Sequence, residues 1–128
     1  DVSMLVVPFK YKNSPSDFKV VLNLKNEVMY ISRNDIPSDS RNPVESYLKA
    51  YHLMTFTPEI LKIYSKLSKS PLEKVEDHEH LRLLENGYRI ITKTVYDECV
   101  SLDAIEDLQI IEPLLIKDSL YKEYCRKI

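Results

Sequence analysis

The stretch that best predicts the local fold runs from Ser70 to Tyr88 and reads Ser-Pro-Leu-Glu-Lys-Val-Glu-Asp-His-Glu-His-Leu-Arg-Leu-Leu-Glu-Asn-Gly-Tyr. Ser70 can cap the free N–H groups of a helix, Pro71 suits the first helical position, and Glu73 completes a Ser-x-x-Glu capping box. Gly87 is the only glycine in the chain, and it lies where a left-handed residue usually ends a helix. We therefore expect one helix from about Pro71 to Asn86.

The predicted helix carries a carboxylate on its apolar side. At roughly 100° per residue, Leu72, Val75 and Leu83 form one apolar stripe, and Glu79 falls between them. Glu79 then either lies at the edge of the stripe, pairs with an arginine of another element, or points into a binding site. The pattern leaves these alternatives open, although an unpaired buried carboxylate is costly and favours a functional reason.

The rest of the chain alternates between strand and helix patterns, which predicts an α/β fold. The predicted elements are a strand Val2–Phe9 buried on both faces, a hairpin of Phe18–Leu24 and Glu27–Ser32, a strand from about Ala50 to Phe56, a helix after Thr57-Pro58, a strand Tyr88–Val95, a helix Ser101–Ile116 and a terminal helix Lys117–Ile128. The segment 34–43 carries two prolines and reads as a surface loop.

Length and charge limit the classes of function. The 128 residues are enough for one packed core and too few for two, so we expect 1–128 to form a single domain. A net charge of −2 argues against nucleic acid or an anionic membrane as partner, and no apolar run approaches the length of a membrane span. Cys99 and Cys125 lack metal-site spacing and read as reduced thiols of a cytoplasmic protein.

Most familiar catalytic patterns are missing from the sequence. With one glycine there is no Gly-rich phosphate loop, and neither a nucleophile elbow nor an activated cysteine is present, so we assign no catalytic residue. His78 and His80 suggest a metal site, but residues two apart on a helix point about 200° apart and cannot share one ion.

Four stretches together resemble one family, the 3-deoxy-manno-octulosonate and acylneuraminate cytidylyltransferases. They are Phe18-Lys-Val-Val-Leu-Asn23, Tyr30-Ile-Ser-Arg33 with Ile36-Pro37, Ser70-Pro-Leu-Glu73 with Glu79-His-Leu-Arg82 and Leu84-Glu-Asn-Gly-Tyr88, and Leu102-Asp-Ala-Ile-Glu-Asp-Leu108. The resemblance runs over about residues 4–110. It implies a three-layer nucleotidyltransferase domain of the nucleotide-diphospho-sugar transferase type, of which this chain is the C-terminal, sugar-binding part with a dimerisation hairpin.

The resemblance also implies an activity. The expected reaction transfers CMP from CTP to an acid sugar, either 3-deoxy-manno-octulosonate or a related ulosonate, in a cytoplasmic homodimer that uses Mg²⁺. The family's nucleotide loop and its second metal-binding aspartate have no counterpart here, and the chain starts without methionine. We therefore expect an N-terminal nucleotide-binding half to be absent from this chain. The alternative is a catalytically silent dimerisation or sugar-binding module that keeps the fold.

The residues that match the family's sites are few. Arg33 matches a family arginine that contacts the acid sugar, and a guanidinium fork suits a carboxylate. The alternative is an ordinary surface charge, which is common for an arginine after a strand. Glu79 stands for a glutamate that binds the sugar hydroxyls, with His80 in place of the usual glutamine. Asp103 stands for a Mg²⁺ ligand, and its alternative role is a helix N-cap.

The departures from the family concern the sugar. Ala50 replaces a sugar-contacting histidine, Met54 a sugar-contacting tyrosine, and Ala104-Ile105 the Thr-Pro beside the metal-binding aspartate. These changes predict either a different acid sugar or weakened catalysis.

Overall fold

The structure is a computed structural model of the 128-residue chain that describes residues 2–96, 102 and 105–125. The chain divides into two compact units, residues 1–96 and residues 97–128. The predicted site residue Asp103 and the thiol of Cys99 lie outside the described residues.

The first unit is built on one mixed five-stranded sheet. Its strands are β1 (Val2–Phe9), β2 (Lys19–Leu22), β3 (Val28–Ser32), β4 (Tyr47–Phe56) and β5 (Ile90–Thr94). They lie in the order β3-β2-β4-β1-β5, where β1 pairs in parallel with β5 and antiparallel with β4. The predicted strands are thus confirmed, and β4 begins three residues earlier than expected.

The core lies on one face of the sheet, because side chains alternate along the strands. In β1 the buried side chains are Val2, Met4 and Val6, whereas Ser3 between them is exposed. The prediction that this strand is buried on both faces is wrong for the chain by itself. The buried apolar residues that complete the core are Val20, Val28, Ile31, Ala50, Leu81, Leu83 and Ile90.

The β2–β3 hairpin extends across towards the far edge of the sheet. It pairs with β4 only where Lys19 faces Lys49, and the N–H of Ala50 donates to the carbonyl of Phe18 at 2.8 Å. The turn reaches β5, where both the N–H and the hydroxyl of Thr92 donate to the carbonyl of Asn26, at 2.8 and 2.9 Å. The two edges of the sheet are therefore joined through the tip of this hairpin.

The helices of this unit begin as their capping signals predict. Helix α1 spans Pro58–Tyr64, and its first turn donates from Ile60 N–H to the side chain of Thr57. Helix α2 spans Pro71–Glu76 and follows Ser70, whose N–H donates to the Glu73 carboxylate at 3.1 Å. These contacts satisfy N–H groups that a helix start would otherwise leave free.

The single helix expected from Pro71 to Asn86 is wrong. Asp77 adopts the left-handed conformation (φ 51°, ψ 51°) and ends α2, and a second helix, α3, spans Leu81–Glu85. Gly87 then ends α3 as expected, with φ 79° and two bonds that define a Schellman motif, from Gly87 N–H to Leu84 O and from Tyr88 N–H to Leu83 O. Aspartate tolerates the left-handed region better than most residues, which permits the break.

The break at Asp77 also corrects the predicted environment of Glu79. In the structure Leu72 and Val75 are exposed, Leu83 is buried, and Glu79 has a 60% exposed side chain. Glu79 is therefore not the buried carboxylate that the helical periodicity indicated. That residue is Glu73, at 4% exposed.

The second unit is helical. A short 3-10 turn at Ile105–Asp107 leads into α4 (Leu108–Lys117), and α5 spans Ser119–Cys125. Regular helix in the described residues starts later than the predicted Ser101, and the predicted terminal helix is confirmed over Ser119–Cys125. Within the described parts of both units, no helix has the length and apolar character needed to cross a membrane.

Candidate functional site

A cluster of polar contacts lies where β3 ends beside the C-terminus of α2. Glu76, the last residue of α2, accepts hydrogen bonds on both carboxylate oxygens. Oε1 accepts from the hydroxyls of Ser32 at 2.8 Å and Tyr30 at 3.2 Å, and Oε2 accepts from the backbone N–H of Arg33 at 2.9 Å. Glu76 thereby fixes the end of β3 to the helix that precedes the Asp77 break.

The guanidinium of Arg33 is held by main-chain carbonyls. Nε donates to the carbonyl of Glu76 at 2.8 Å, Nη1 to that of Pro15 at 2.9 Å, and Nη2 to that of Asp77 at 3.4 Å. The guanidinium carbon also lies 4.3 Å from the centre of the Phe18 ring, a cation–π distance. With 35% of its side chain exposed, Arg33 is neither a freely moving surface charge nor fully enclosed.

Lys19 lies on the other side of Arg33 and is completely buried. Its side chain is 0% exposed, and Nζ donates to the carbonyls of Ser14 at 2.6 Å, Asp17 at 2.9 Å and Arg33 at 2.7 Å. The Asp35 carboxylate lies 3.4 Å from the same ammonium. A buried ammonium with three carbonyl acceptors and a nearby anion meets the condition for burying a charge.

The segment between α2 and α3 brings both histidines to this site. His78 is buried, and its ring packs edge-on against Phe18 with centroids 4.0 Å apart. The His78 and His80 rings are 4.6 Å apart, which corrects the expectation that a continuous helix would point them in opposite directions. Within the described residues, no group of three or more His, Cys, Asp or Glu side chains is arranged to hold a metal ion.

Three of the four predicted site residues thus belong to one region. Glu79 and His80 adjoin Asp77 and His78, which contact Arg33 and Phe18, and the Glu79 carboxylate lies 3.6 Å from His80 Nε2. The fourth, Asp103, lies outside the described residues. This region thus combines a held guanidinium, an exposed carboxylate and a partly buried imidazole.

The carboxylates of Glu76 and Glu79 are ionised at neutral pH. Burial acts to raise the pKa of Glu76, but the bonds from Arg33 N–H, Ser32 and Tyr30, together with the Arg33 charge, hold it below its usual value. For Glu79, desolvation likewise acts to raise the pKa, and its own backbone N–H and the imidazoles of His80 and His78 outweigh that effect. Each carboxylate can therefore accept hydrogen bonds.

Two of the positions at which this chain departs from the family, Ala50 and Met54, face the core, whereas Ile105 is exposed and Ala104 lies outside the described residues. Ala50 is buried opposite Val6 of β1, and Met54 lies opposite Met4 and packs against the core cluster. Sequence reasoning missed Glu76, Lys19 and Phe18 as parts of the site. The available signal was their position, because Phe18-Lys19 opens one matching stretch and Glu76 lies between two others, Ser70–Glu73 and Glu79–Arg82.

The fold is that of a nucleotidyltransferase domain, and comparison with known proteins gives the family. The chain belongs to the cytidylyltransferase family, whose sequence model matches residues 4–94. Its fold is accordingly the nucleotide-diphospho-sugar transferase type, as the sequence predicts; a dimerisation role for the hairpin stays a prediction.

Similar proteins carry one recurring description. A 3-deoxy-manno-octulosonate cytidylyltransferase of Chlorobium chlorochromatii is 36% identical over 89% of this chain and 48% of the relative. The mitochondrial 3-deoxy-manno-octulosonate cytidylyltransferase of Arabidopsis thaliana is 35% identical over 79% of this chain and 36% of the relative. The chain spans about half the length, or less, of the curated relatives it matches.

A solved structure supports the same assignment. CMP:2-keto-3-deoxy-manno-octonic acid synthetase, determined in complex with CTP, superposes with a TM-score of 0.83 at 29% identity. The superposition covers 91% of this chain and 49% of that one.

Proposed function

We propose that the protein carrying this chain transfers the CMP group of CTP to 3-deoxy-manno-octulosonate or a closely related acid sugar and releases pyrophosphate. The observation that carries the proposal is the held Arg33, in a chain that resembles enzymes of that description along most of its length. In the described residues its guanidinium hydrogen bonds go to neutral carbonyls. The Asp77 carboxylate forms an ion pair with it at 3.7 Å but is 88% exposed, so an anionic ligand can compete for the charge of Arg33.

The proposed roles follow from the chemistry of a 2-keto sugar acid. Arg33 binds the carboxylate through its N–H fork, a geometry that arginine favours. That carboxylate is bonded to the anomeric carbon, so the same contact also fixes the hydroxyl that attacks CTP. Glu79 accepts hydrogen bonds from the ring hydroxyls, and His80 beside it contributes a further polar contact. Positioning of this kind makes the attack effectively unimolecular.

A divalent metal belongs to this proposal through Asp103. Carboxylate oxygens suit Mg²⁺, but the described residues contain no cluster that would hold the ion, and Asp103 lies outside them. The residues present therefore do not by themselves form a Mg²⁺ site, and we derive no step of the reaction through the ion.

We also propose that the β2–β3 hairpin forms a contact between two copies in a homodimer. Leu24 at its turn and Met29 on β3 are exposed large apolar side chains, of the kind that interfaces cover. Light scattering at high concentration should give the mass of a dimer, and a monomer would contradict this part of the proposal.

The decisive experiment is a pyrophosphate-release assay on the full-length protein with CTP, Mg²⁺ and a panel of acid sugars. We expect release with 3-deoxy-manno-octulosonate or a related ulosonate, and strong loss of release with Arg33→Lys, which keeps the charge but not the planar fork. Release with no member of the panel would contradict the enzyme proposal. Acid-sugar binding in calorimetry without release would then identify the alternative, a silent sugar-binding module.

A further inference from the structure

We infer that Glu76 and Lys19 are positioning residues that hold Arg33 from both sides, so that two of its N–H groups stay free for a carboxylate. That the ligand carries a carboxylate rests on the proposed function, whereas the arrangement of Arg33 does not depend on it. Neither residue was among the predicted site residues, and neither would touch the sugar itself.

The main chain of Arg33 is held by two opposite charges. Its N–H donates to the carboxylate of Glu76 at 2.9 Å, and its carbonyl accepts from the ammonium of Lys19 at 2.7 Å. Hydrogen bonds to charged groups are shorter and about twice as strong as neutral ones. Both polar groups of one residue are thus fixed, which determines where the Arg33 side chain starts.

The same two residues fix the carbonyls that bind the guanidinium. Lys19 Nζ donates to the carbonyls of Ser14 and Asp17, which flank Pro15, the acceptor for Nη1. The Glu76 carbonyl itself accepts from Nε. Removing either charged group would release the main chain of Arg33 and one wall of its guanidinium site together.

Two N–H groups of the Arg33 guanidinium remain available to a ligand. A guanidinium has five N–H groups. One on each nitrogen of Arg33 is used by a main-chain carbonyl, which leaves one N–H on Nη1 and one on Nη2. Paired N–H groups of this kind are what a guanidinium uses to bind both oxygens of a carboxylate.

The hydrogen bonds of the Glu76 carboxylate are unusual for a cluster that serves only stability. The Glu76 carboxylate could have bonded the nearby guanidinium, yet it accepts from a backbone N–H and two hydroxyls. The positive charge of Arg33 is therefore kept while its position is fixed. Its nearest carboxylate, that of Asp77, is 3.7 Å away and 88% exposed.

The test compares Glu76→Gln with a matched control, Glu73→Gln, on ¹⁵N-arginine-labelled protein. Glutamine has one acceptor oxygen where glutamate has two, so it cannot serve the Arg33 N–H and both hydroxyls as before. Glu73→Gln disturbs the same helix, but its arginine partner is Arg82. Lys19→Met tests the other side, and Tyr30→Phe removes one bond to Glu76 without touching Arg33.

The first measurement is hydrogen exchange of the arginine Nε–H groups by NMR, which needs no ligand. We expect slow exchange at Arg33 in the unaltered protein and in Tyr30→Phe, and fast exchange at Arg33 with retained protection at Arg82 in Glu76→Gln. In folded Lys19→Met we likewise expect fast exchange at Arg33 with retained protection at Arg82. Unchanged protection of Arg33 in Glu76→Gln, or equal loss at Arg33 and Arg82, would overturn the inference.

The second measurement is calorimetric binding of 3-deoxy-manno-octulosonate and of its C1 amide. Glu76→Gln should weaken binding of the acid about tenfold, because a charge-assisted bidentate contact is lost, and leave binding of the amide unchanged. Equal weakening of both ligands would overturn the inference. If the unaltered protein protects Arg33 but binds neither ligand, the proposed function fails while the positioning of Arg33 is supported.

Discussion

Glu73 and Glu76 lie one turn apart on α2, and each organises an arginine in a different way. Glu73 is 4% exposed and binds the Arg82 guanidinium bidentately, at 2.8 Å to Nε and 2.5 Å to Nη2. Glu76 binds the backbone of Arg33 and leaves its guanidinium to carbonyls. The first pair neutralises its charges to join α2 to α3, whereas the second keeps a positive charge accessible.

One short helix can thus fix one arginine inside the fold and another at its surface. Arg82 is also enclosed, with a 15% exposed side chain, a bond from Nη1 to the Leu67 carbonyl and the Tyr64 ring 4.9 Å away. A guanidinium so surrounded can accept no further anion. Arg33, which follows β3, is 35% exposed and retains the capacity to bind an anion. The predictions below test this contrast between the two arginines.

The largest effect is expected from Arg82→Met. It leaves the buried carboxylate of Glu73 without its cation, and breaking a buried pair in this way costs about 3 kcal/mol or more. Urea denaturation at pH 7 measures the loss. The double variant Arg82→Met with Glu73→Met should recover most of it, because no charge is then left buried. A loss below about 1 kcal/mol would contradict a structural role for the pair.

Acid should destabilise the fold through both glutamates. The bond from Arg82 holds the pKa of Glu73 below its usual 4.5, and the bonds to Glu76 outweigh the effect of burial and do the same there. As pH falls, the unfolded state therefore binds protons first. Stability should be complete above about pH 4.5 and decline below it, as urea titrations from pH 7 to 3 would measure. The stability of the double variant Arg82→Met with Glu73→Met should fall less over this pH range. An equal fall would contradict the assignment of the acid sensitivity to Glu73.

A smaller loss of stability is expected from Gly87→Ala. Gly87 ends α3, the helix that carries Arg82, so this variant affects the Glu73–Arg82 pair rather than Arg33. A Cβ at this position would meet no atom within 4 Å, so the cost comes only from the left-handed φ of 79°. That cost is about 1 to 2 kcal/mol. Thermal or urea unfolding gives the value, and Arg33-dependent ligand binding should not change. No loss at all would show that the helix end rearranges.

The smallest change in stability is expected from Arg33→Met. It removes three hydrogen bonds to main-chain carbonyls, but water can reach this partly exposed site and replace the lost donors, so we expect a total cost of only about 1 kcal/mol. Calorimetry should nevertheless show that acid-sugar binding is lost. Unfolding as severe as that of Arg82→Met would contradict the contrast between the two arginines.

Local signals were enough to predict most of the fold. Helix starts at Thr57-Pro58 and Ser70-Pro71, the helix end at Gly87, and the strand Val2–Phe9 all follow from short-range geometry and are found in the structure. The break at Asp77 was not predictable in the same way. Capping signals locate the ends of a helix but do not show that it continues between them, and the turn at Asp77 is supported by contacts with β3, distant in sequence.

Within the site, the sequence suggested residues that would contact a ligand, whose roles stay predictions, but it did not indicate the residues that hold Arg33. Arg33, Glu79 and His80 were found through resemblance. Lys19 reads as an ordinary strand residue, and it is buried because carbonyls of Ser14, Asp17 and Arg33 converge on it. Such convergence is a property of the folded chain. The helical periodicity misplaced Glu79, since it assumed that 71–86 form one helix.

The contact between the hairpin tip and β5 has a consequence for solubility. A strand at the border of a sheet presents unpaired N–H and carbonyl groups, which other chains can join to form aggregates. Here the Asn26 carbonyl occupies the outward N–H of Thr92, from 66 residues away in sequence. The turn thus shields β5 only after the chain has largely folded, because closing so long a loop is slow. Partly folded chains expose this border. A β-branched residue at position 26 would strain the turn, because Asn26 has a positive φ of 59°, and should therefore affect the yield of soluble protein before it affects ligand binding.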